Sequence, residues 1–303
     1  MGEPRLSQKA RQPAVSKLAL GTVQFGLRYG VANATGRVAP EAVAAILKLA
    51  ARHGIDALDT AVAYGQSEAC LGAIGVPAWR VVTKLPPLPH DIRDVTAWVD
   101  LQVRGSLRRL RIERLDGLLL HRPADVLGVG GEQLLAALAV ARSRGCIAAT
   151  GASIYDPFEL EALWPRWQPE IVQAPCSVLD RRLVHSGWLS RLQRQGTRVQ
   201  LRSVFLQGLL LMPAVRRPAF FARWQNLLDR WLAWCADHGV SPLQAALTYA
   251  CTLQGVDRVV VGVDSVAQLQ EILEAAPDLT LAPPEDLCSA DPTLLEASRW
   301  QVV

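Results

Sequence analysis

A single closed (β/α)8 barrel is the fold this sequence predicts, and three observations point to it. Eight short runs of β-type residues recur along the 303 residues. Helix-type stretches alternate with them. Most of the runs are apolar throughout rather than alternating, which marks strands buried on both faces, as in a parallel sheet. Eight such units in one chain of about 300 residues fit a barrel of the TIM type. An open, doubly wound sheet is the competitor, but its GxGxxG turn is missing, because the first strand runs into Gly21-Thr22-Val23-Gln24-Phe25-Gly26.

The strand runs fall at residues 18–22, 55–60, 80–85, 115–121, 147–153, 171–175, 198–204 and 258–263. Amphipathic patterns at 40–53, 95–112 and 133–144 predict helices between them. Gly54 and Gly145 follow two of these as C-caps. Extra helices are expected between the seventh and eighth strands, at 219–238 and 242–254. The organisation read from this is a flexible segment at 1–16, a barrel at 17–276, and an irregular tail at 277–303, with Ala282-Pro283-Pro284, packing on or near the barrel.

Half of the residues are hydrophobic and a fifth charged, enough apolar content for a full core and too much for disorder. The longest apolar run, 134–141, is far short of the ~20 residues of a membrane helix. No apolar stretch follows the basic residues of the first sixteen, so no secretory signal is visible and a cytoplasmic setting is expected. A net charge of +4 is mild, and the densest basic cluster, 104–114, spaces Leu107, Leu110 and Ile112 as the inner face of a helix. No nucleic-acid or membrane partner is expected, and the chain reads as a monomer or weak homo-oligomer. The six cysteines show neither CxxC nor a zinc spacing and read mostly as buried thiols, with no metal site.

One count stands out. Twenty-eight of the thirty-two basic residues are Arg; the four lysines are Lys9, Lys17, Lys48 and Lys84. In a chain that uses Arg for positive charge, the single lysine beyond residue 48 suggests a place where guanidinium does not serve, since an amine is compact and its pKa shifts readily.

Catalytic groups of such barrels project from the carboxyl ends of strands. Here those ends carry Asp59-Thr60-Ala61 with Tyr64-Gly65 just after, Thr83-Lys84, His121-Arg122-Pro123, Gly151-Ala152-Ser153 and Gln173. Each has an ordinary alternative: Asp59 as a turn cap, Tyr64 as a loop-edge aromatic, His121 as a structural imidazole, Lys84 as a solvent-seeking amine. Their conjunction on neighbouring strand ends outweighs these. An ammonium beside a phenol favours the phenolate, a carboxylate holds the ammonium charged, and an imidazole polarises a carbonyl oxygen. The four together form a device for protonating a carbonyl oxygen as its carbon becomes an alcohol. The hydride must come from a nicotinamide cofactor, because side chains supply none.

The chain resembles the aldo-keto reductases over residues 17–275. The resemblance rests on LALGTVQFG (18–26), DTAVAYGQSE (59–68), VVTKLP (81–86) and SLRRLRIERLDGLLLHRP (106–123). GASIYDP (151–157), IVQAP (171–175), SVFLQGLL (203–210), SPLQAALTYA (241–250) and VVVGVDSVAQLQE (259–271) follow. It implies a catalytic tetrad of Tyr64, Lys84, Asp59 and His121, with Tyr64 as acid/base, and NADPH or NADH stretched across the barrel. Gly21, Thr22 and Asp59 would approach the cofactor, Ser153 and Gln173 would hold its carboxamide, Ser203, Leu206 and Gly208 its pyrophosphate, and Gly262, Ser265, Gln268 and Glu271 its adenosine end. Three positions depart from the family pattern. Ile154 stands where an Asn usually follows the carboxamide-binding Ser, Arg202 where an aromatic ring commonly stacks under nicotinamide, and Asp264 where a basic residue often meets the 2′-phosphate. Asp264 raises the expectation of NADH.

The expected function is reduction of an aldehyde, ketone or keto-sugar, since the GTVQFG…YGVAN opening resembles a bacterial branch linked to sugar modification. The loop at 27–33 is expected to overhang the site, with Arg28 and Arg122 meeting an anionic or polyhydroxy substrate. A cofactor-binding regulator on the same barrel is the alternative. A metal-dependent sugar isomerase would need more strand-end ligands than Asp59 and His121.

Overall fold

The structure is a computed structural model describing residues 15–275 and 282–300. Most of the 1–16 segment, and residues 277–281 and 301–303 of the tail, lie outside the described residues.

Eight parallel strands close into a barrel in sequence order: β1 Leu18–Gly21, β2 Ala57–Asp59, β3 Arg80–Leu85, β4 Gly117–Leu120, β5 Thr150–Ser153, β6 Ile171–Pro175, β7 Arg198–Arg202 and β8 Arg258–Gly262. β8 closes on β1 with Gly262 opposite Gly21. Around the barrel run α1 Pro40–Arg52, α2 Ser67–Ile74, α3 Val95–Leu110, α4 Gly131–Ser143, α5 Phe158–Leu163, α6 Trp188–Arg194, α7 Gln225–Asp237, α8 Pro242–Thr252 and α9 Val266–Glu274. The chain is therefore the (β/α)8 barrel its sequence predicts, with two helices between β7 and β8.

Local chemistry explains the boundaries. Pro40 sits in the first turn of α1, where its missing N–H costs nothing, and Val43, Ile46, Leu47 and Ala50 form the buried face. Asp94 caps α3 by accepting from Ala97 N at 2.9 Å, and Ser265 caps α9 through Gln268 N at 3.2 Å. The helix expected at 219–238 is two pieces. Ala219–Trp224 is a 3-10 segment, and only from Gln225 does the α-helix begin. The tighter spacing turns Phe221 and Trp224, three residues apart, to one side, where both are buried. Their partners lie in the chain's end: Trp224 donates to Asp291 at 3.1 Å, and Trp300 packs edge-on against Phe221. Arg181, buried after β6, donates to the carbonyls of Pro283 and Pro284.

Strand residues alternate between two environments, since successive side chains point to opposite faces. Leu18, Leu20, Leu58, Val81, Leu118, Leu120, Val172, Val199 and Val259 join the large core between strands and helices. The residues between them form two small clusters inside the barrel, Val82 with Leu119, Ala149 and Ile171, and Ala19 with Ala57 and Val260. Continuing that alternation to the carboxyl ends puts Gly21, Asp59, Lys84, His121, Ser153, Gln173, Arg202 and Gly262 on the inward register. These eight residues thus share the inner face at the carboxyl end of the barrel.

Outside the barrel, α2 and α3 touch through Gly72, where a Cβ would stand 2.0 Å from the Arg109 carbonyl oxygen. Gly72→Ala is therefore expected to lower stability by about 1–3 kcal/mol, as overpacking does. The urea midpoint measures this, and an unchanged midpoint would show that the two helices separate freely.

Candidate active site

Lys84 is fully buried beneath the mouth, and its ammonium organises the neighbouring groups. It donates to both oxygens of Asp59 at 2.8 and 2.7 Å, to the Thr60 carbonyl at 2.9 Å and to Tyr64 Oη at 3.3 Å. Burial pulls the amine's pKa down, but the charges and hydrogen bonds of Asp59 and Tyr64 more than offset this and hold it above the ordinary lysine value. The Tyr64 ring meets His121 edge to face at 6.1 Å. His121 is pushed down to about 4 by its burial, then by Lys84 and Arg202. Its imidazole is accordingly neutral at pH 7 and offers one N–H donor and one acceptor.

Tyr64 sits on a loop held tightly from behind. Ser67 Oγ bonds the Thr22 carbonyl and Thr22 Oγ1, both at 2.8 Å, and Thr60 Oγ1 at 3.1 Å. Gly26 presses its bare Cα against this loop, where a Cβ would fall 1.8 Å from the Tyr64 carbonyl oxygen. One layer further out, buried Glu68 accepts from Thr83 at 2.7 Å and pairs with Arg109 at 2.6 Å, tying α2 to β3 and α3.

The Asp59 carboxylate accepts a third hydrogen bond, from Gln173 Nε2 at 2.6 Å, and Gln173 in turn touches Ser153 and Gln200, each at 3.3 Å. The result is a buried polar chain across β5, β6 and β7 that ends on the Asp59–Lys84 pair.

A cavity of about 960 Å3 opens above these groups. Of the residues named from the sequence, Gly21, Thr22, Asp59, Tyr64, His121, Ser153, Arg202, Ser203, Gly208, Gly262, Asp264, Gln268 and Glu271 line it. Lys84 and Gln173 lie one layer below. The Leu206 side chain is in the core, and the Ser265 hydroxyl is used as the α9 cap. A second hollow of about 540 Å3, beside Leu138 and Trp167 on the outer wall, holds none of these groups.

Bare backbone and unfilled polar atoms mark the cavity walls. Gly21, Gly208 and Gly262 expose bare backbone, and a Cβ on Gly262 would strike the Gln24 amide at 2.4 Å. Two buried polar atoms in its walls, Gln24 Oε1 and Arg202 Nε, have no hydrogen-bond partner. The loop after β7 takes left-handed backbone at Ser203, Leu206 and Gln207 as well as at Gly208, strain that is tolerated mainly at functional sites. It meets the loop after β1, where Gly208 packs on Ala32 and Gly30 lies beside the Gln207 carbonyl.

The departures from the family pattern have definite geometry. The Arg202 guanidinium lies 4.6 Å over the Tyr155 ring and donates to the Ile154 carbonyl at 2.9 Å and to Ser203 Oγ at 3.2 Å. Asp264 accepts from Asn33 Nδ2 at 2.9 Å, and burial raises its pKa despite bonds from Asn33 and Gln268. Residues 28–33 line the cavity, but Arg122 does not. Asp125 Oδ1 and the Leu88 carbonyl engage its guanidinium at 2.6 and 2.9 Å, which removes it from the substrate role expected beside Arg28. Sequence reading passed over Gln24, Tyr155, Gln200 and Gln207. The Gln200 position was available from strand parity, whereas the others depend on loop paths.

Among the described residues, no group of three or more His, Cys, Asp and Glu side chains is placed to hold a metal ion. No helix of the described residues is long and apolar enough to cross a membrane.

Comparison with known proteins agrees with the geometry. No curated protein matches the chain. Among solved structures, a putative aldo-keto reductase from Pseudomonas aeruginosa superposes with TM-score 0.63 at 22% identity, covering 86% of this chain and 89% of that one. The holo form of an aldo-keto reductase from Bacillus halodurans gives TM-score 0.69 at 21% identity, covering 94% and 95%. At these identities the likeness establishes the barrel. The family model described as aldo/keto reductase matches residues 17–285, nearly the whole chain. The protein accordingly belongs to the aldo/keto reductase family and is a nicotinamide-dependent oxidoreductase.

Proposed function

We propose that the protein reduces a small carbonyl compound to an alcohol, with Tyr64 as the proton donor. The observation that carries this reading is the buried Lys84 ammonium, bonded at once to Asp59 and to Tyr64 Oη. A phenol alone is a poor acid at neutral pH, and a cation beside it stabilises the phenolate left once the proton has gone. Asp59 keeps that cation charged and fixed. Neutral His121, against the Tyr64 ring, donates an N–H to the carbonyl oxygen and orients it. The nicotinamide cofactor, when bound, supplies the hydride.

In this reading Gly21, Thr22, Ser153, Gln173, Arg202, Ser203, Leu206, Gly208, Gly262, Asp264, Ser265, Gln268 and Glu271 hold the cofactor. The orphaned Gln24 Oε1 and Arg202 Nε and the bare glycine walls support that fit. Asp264 repels a 2′-phosphate and favours a ribose hydroxyl, so NADH is accepted at least as well as NADPH. The substrates of this reading include a keto-sugar, and its setting is the cytoplasm.

Consumption of NADH or NADPH with a panel of carbonyl compounds tests the reading. Tyr64→Phe is expected to lower kcat by about 10²–10⁴-fold, the usual worth of a general acid, with cofactor binding kept; unchanged turnover would remove Tyr64 from the mechanism. Fluorescence titration is expected to show NADH bound at least as tightly as NADPH, and a preference of about 100-fold for NADPH would end that assignment. Because His121 stays neutral down to about 4, log kcat should show no imidazole inflection in the ordinary histidine range. An inflection there that disappears in His121→Gln would overturn the neutral role.

A further inference from the structure

Gln200 is a buried polar side chain that the proton-transfer device leaves without a task. It is 6% exposed and faces into the barrel from β7, two residues before Arg202. An apolar residue would fill such a position without the cost of burying an amide, as Val82, Leu119, Ala149 and Ile171 do deeper in the barrel. The strands set Gln200 beside Gln173 as its register partner, and Ser153 beside Gln173 on the other flank. Neither Gln173 nor Gln200 lines the cavity.

The hydrogen bonds of this row run in one sense. Gln173 Nε2 has two hydrogens and directs one to Asp59 Oδ1 at 2.6 Å and the other to Gln200 Oε1 at 3.3 Å. Gln173 Oε1 accepts from Ser153 Oγ at 3.3 Å. Turning the amide over would set its oxygen against two acceptors, Asp59 and Gln200. Gln200 thus helps to hold the amide with an N–H on the carboxylate.

Asp59 needs that hold. Lys84 Nζ bonds both of its oxygens, at 2.8 and 2.7 Å, a pairing about which the carboxylate plane is free to tilt. The bond from Gln173 arrives from β6, opposite β2 in the ring of strands, and sets the plane. At 3.3 Å, the bond from Lys84 to Tyr64 Oη is the longest of the ammonium's four, so it is the first to weaken when Asp59 shifts.

Resting on the reductase reading above, we propose that Gln200 is a positioning residue for proton transfer: it holds Gln173 against Asp59 and so keeps the Lys84 ammonium beside Tyr64. It acts through three neighbours and touches no reacting atom.

Two variants test this: Gln200→Met, near in shape but lacking the amide oxygen, and Gln200→Leu, with folding checked by circular dichroism. Single-turnover reduction of the fastest carbonyl compound in the panel above, with NADH saturating, is expected to slow about threefold to tenfold in both, as loss of one buried hydrogen bond does. NADH affinity by fluorescence is expected to stay within about twofold of wild type. In a Gln173→Leu background, Gln200→Met is expected to add nothing, because its effect runs through Gln173. A wild-type rate, full additivity, or an NADH affinity that falls with the rate overturns the proposal. So does failure of both variants to fold, which would make Gln200 a scaffold residue. Nuclear magnetic resonance of the cofactor-free protein gives a readout without turnover. The chain has four lysines, so labelling the lysine side-chain nitrogen leaves few signals. Gln200→Met is expected to shift the Lys84 signal and leave the others in place, and an unmoved Lys84 signal contradicts the proposal. Turnover of no carbonyl compound with either cofactor would instead fault the reductase reading, and the Lys84 signal still decides the role of Gln200.

Discussion

The contact between the Lys84 ammonium and the Asp59 carboxylate, sealed beneath the barrel mouth, is the interaction on which the rest of the site depends. Two charges withdrawn from water carry a desolvation penalty that their attraction repays only when geometry is good and the remaining hydrogen-bonding positions are filled. Here they are filled: the Thr60 carbonyl and Tyr64 Oη also accept from the ammonium, and Gln173 donates to the carboxylate. Such a pair is weak evidence for stability, because apolar groups of similar volume often do as well. Its chemical consequence is stronger: it holds a charged amine against one phenol oxygen inside the fold.

The surrounding layers keep that contact in place. Ser67 ties the Tyr64 loop to the end of β1, Gly26 lets the loop lie close, and Glu68 with Arg109 binds the same corner to α3. The polar chain through Gln200, Gln173 and Ser153 links Asp59 to the opposite side of the barrel. A lower layer thus holds the groups proposed for proton transfer, while the loops after β1 and β7, joined by Gly208 on Ala32 and Gly30 beside the Gln207 carbonyl, shape the space above. Asp264 and Glu271 stand beyond β8, away from the Asp59–Lys84 pair.

The barrel was legible because period and composition are local properties: each strand is a short apolar run, and each carries its chemistry at one end. That Asp59, Tyr64, Lys84 and His121 meet at one mouth was legible for the same reason, and the lone lysine among arginines marked the position where a compact amine is buried. Contacts between distant segments were not legible. Gln173 reaches Asp59 across 114 residues and Asn33 reaches Asp264 across 231, and no local pattern encodes either. Arg122 misled for a different reason. Its position after β4 suits a substrate role, but Asp125, three residues on, captures it once the 3-10 turn at Pro123–Leu127 forms. Arg202 stood out in sequence only as a missing aromatic ring; its stack on Tyr155 and its unfilled Nε emerge from the packing.

The central claim is that residue 84 must be a titratable, compact amine bonded to Asp59 and Tyr64, and that positive charge alone does not suffice. Lys84→Arg keeps the charge but replaces the amine with a larger planar group in a site with no exposed surface. Single-turnover reduction by this variant, with folding checked by circular dichroism and cofactor affinity by fluorescence, is the direct measurement. A folded, cofactor-binding variant whose hydride-transfer rate falls by at least about tenfold is the predicted result. A rate equal to that of wild type would contradict the account and leave the scarcity of lysine as compositional bias.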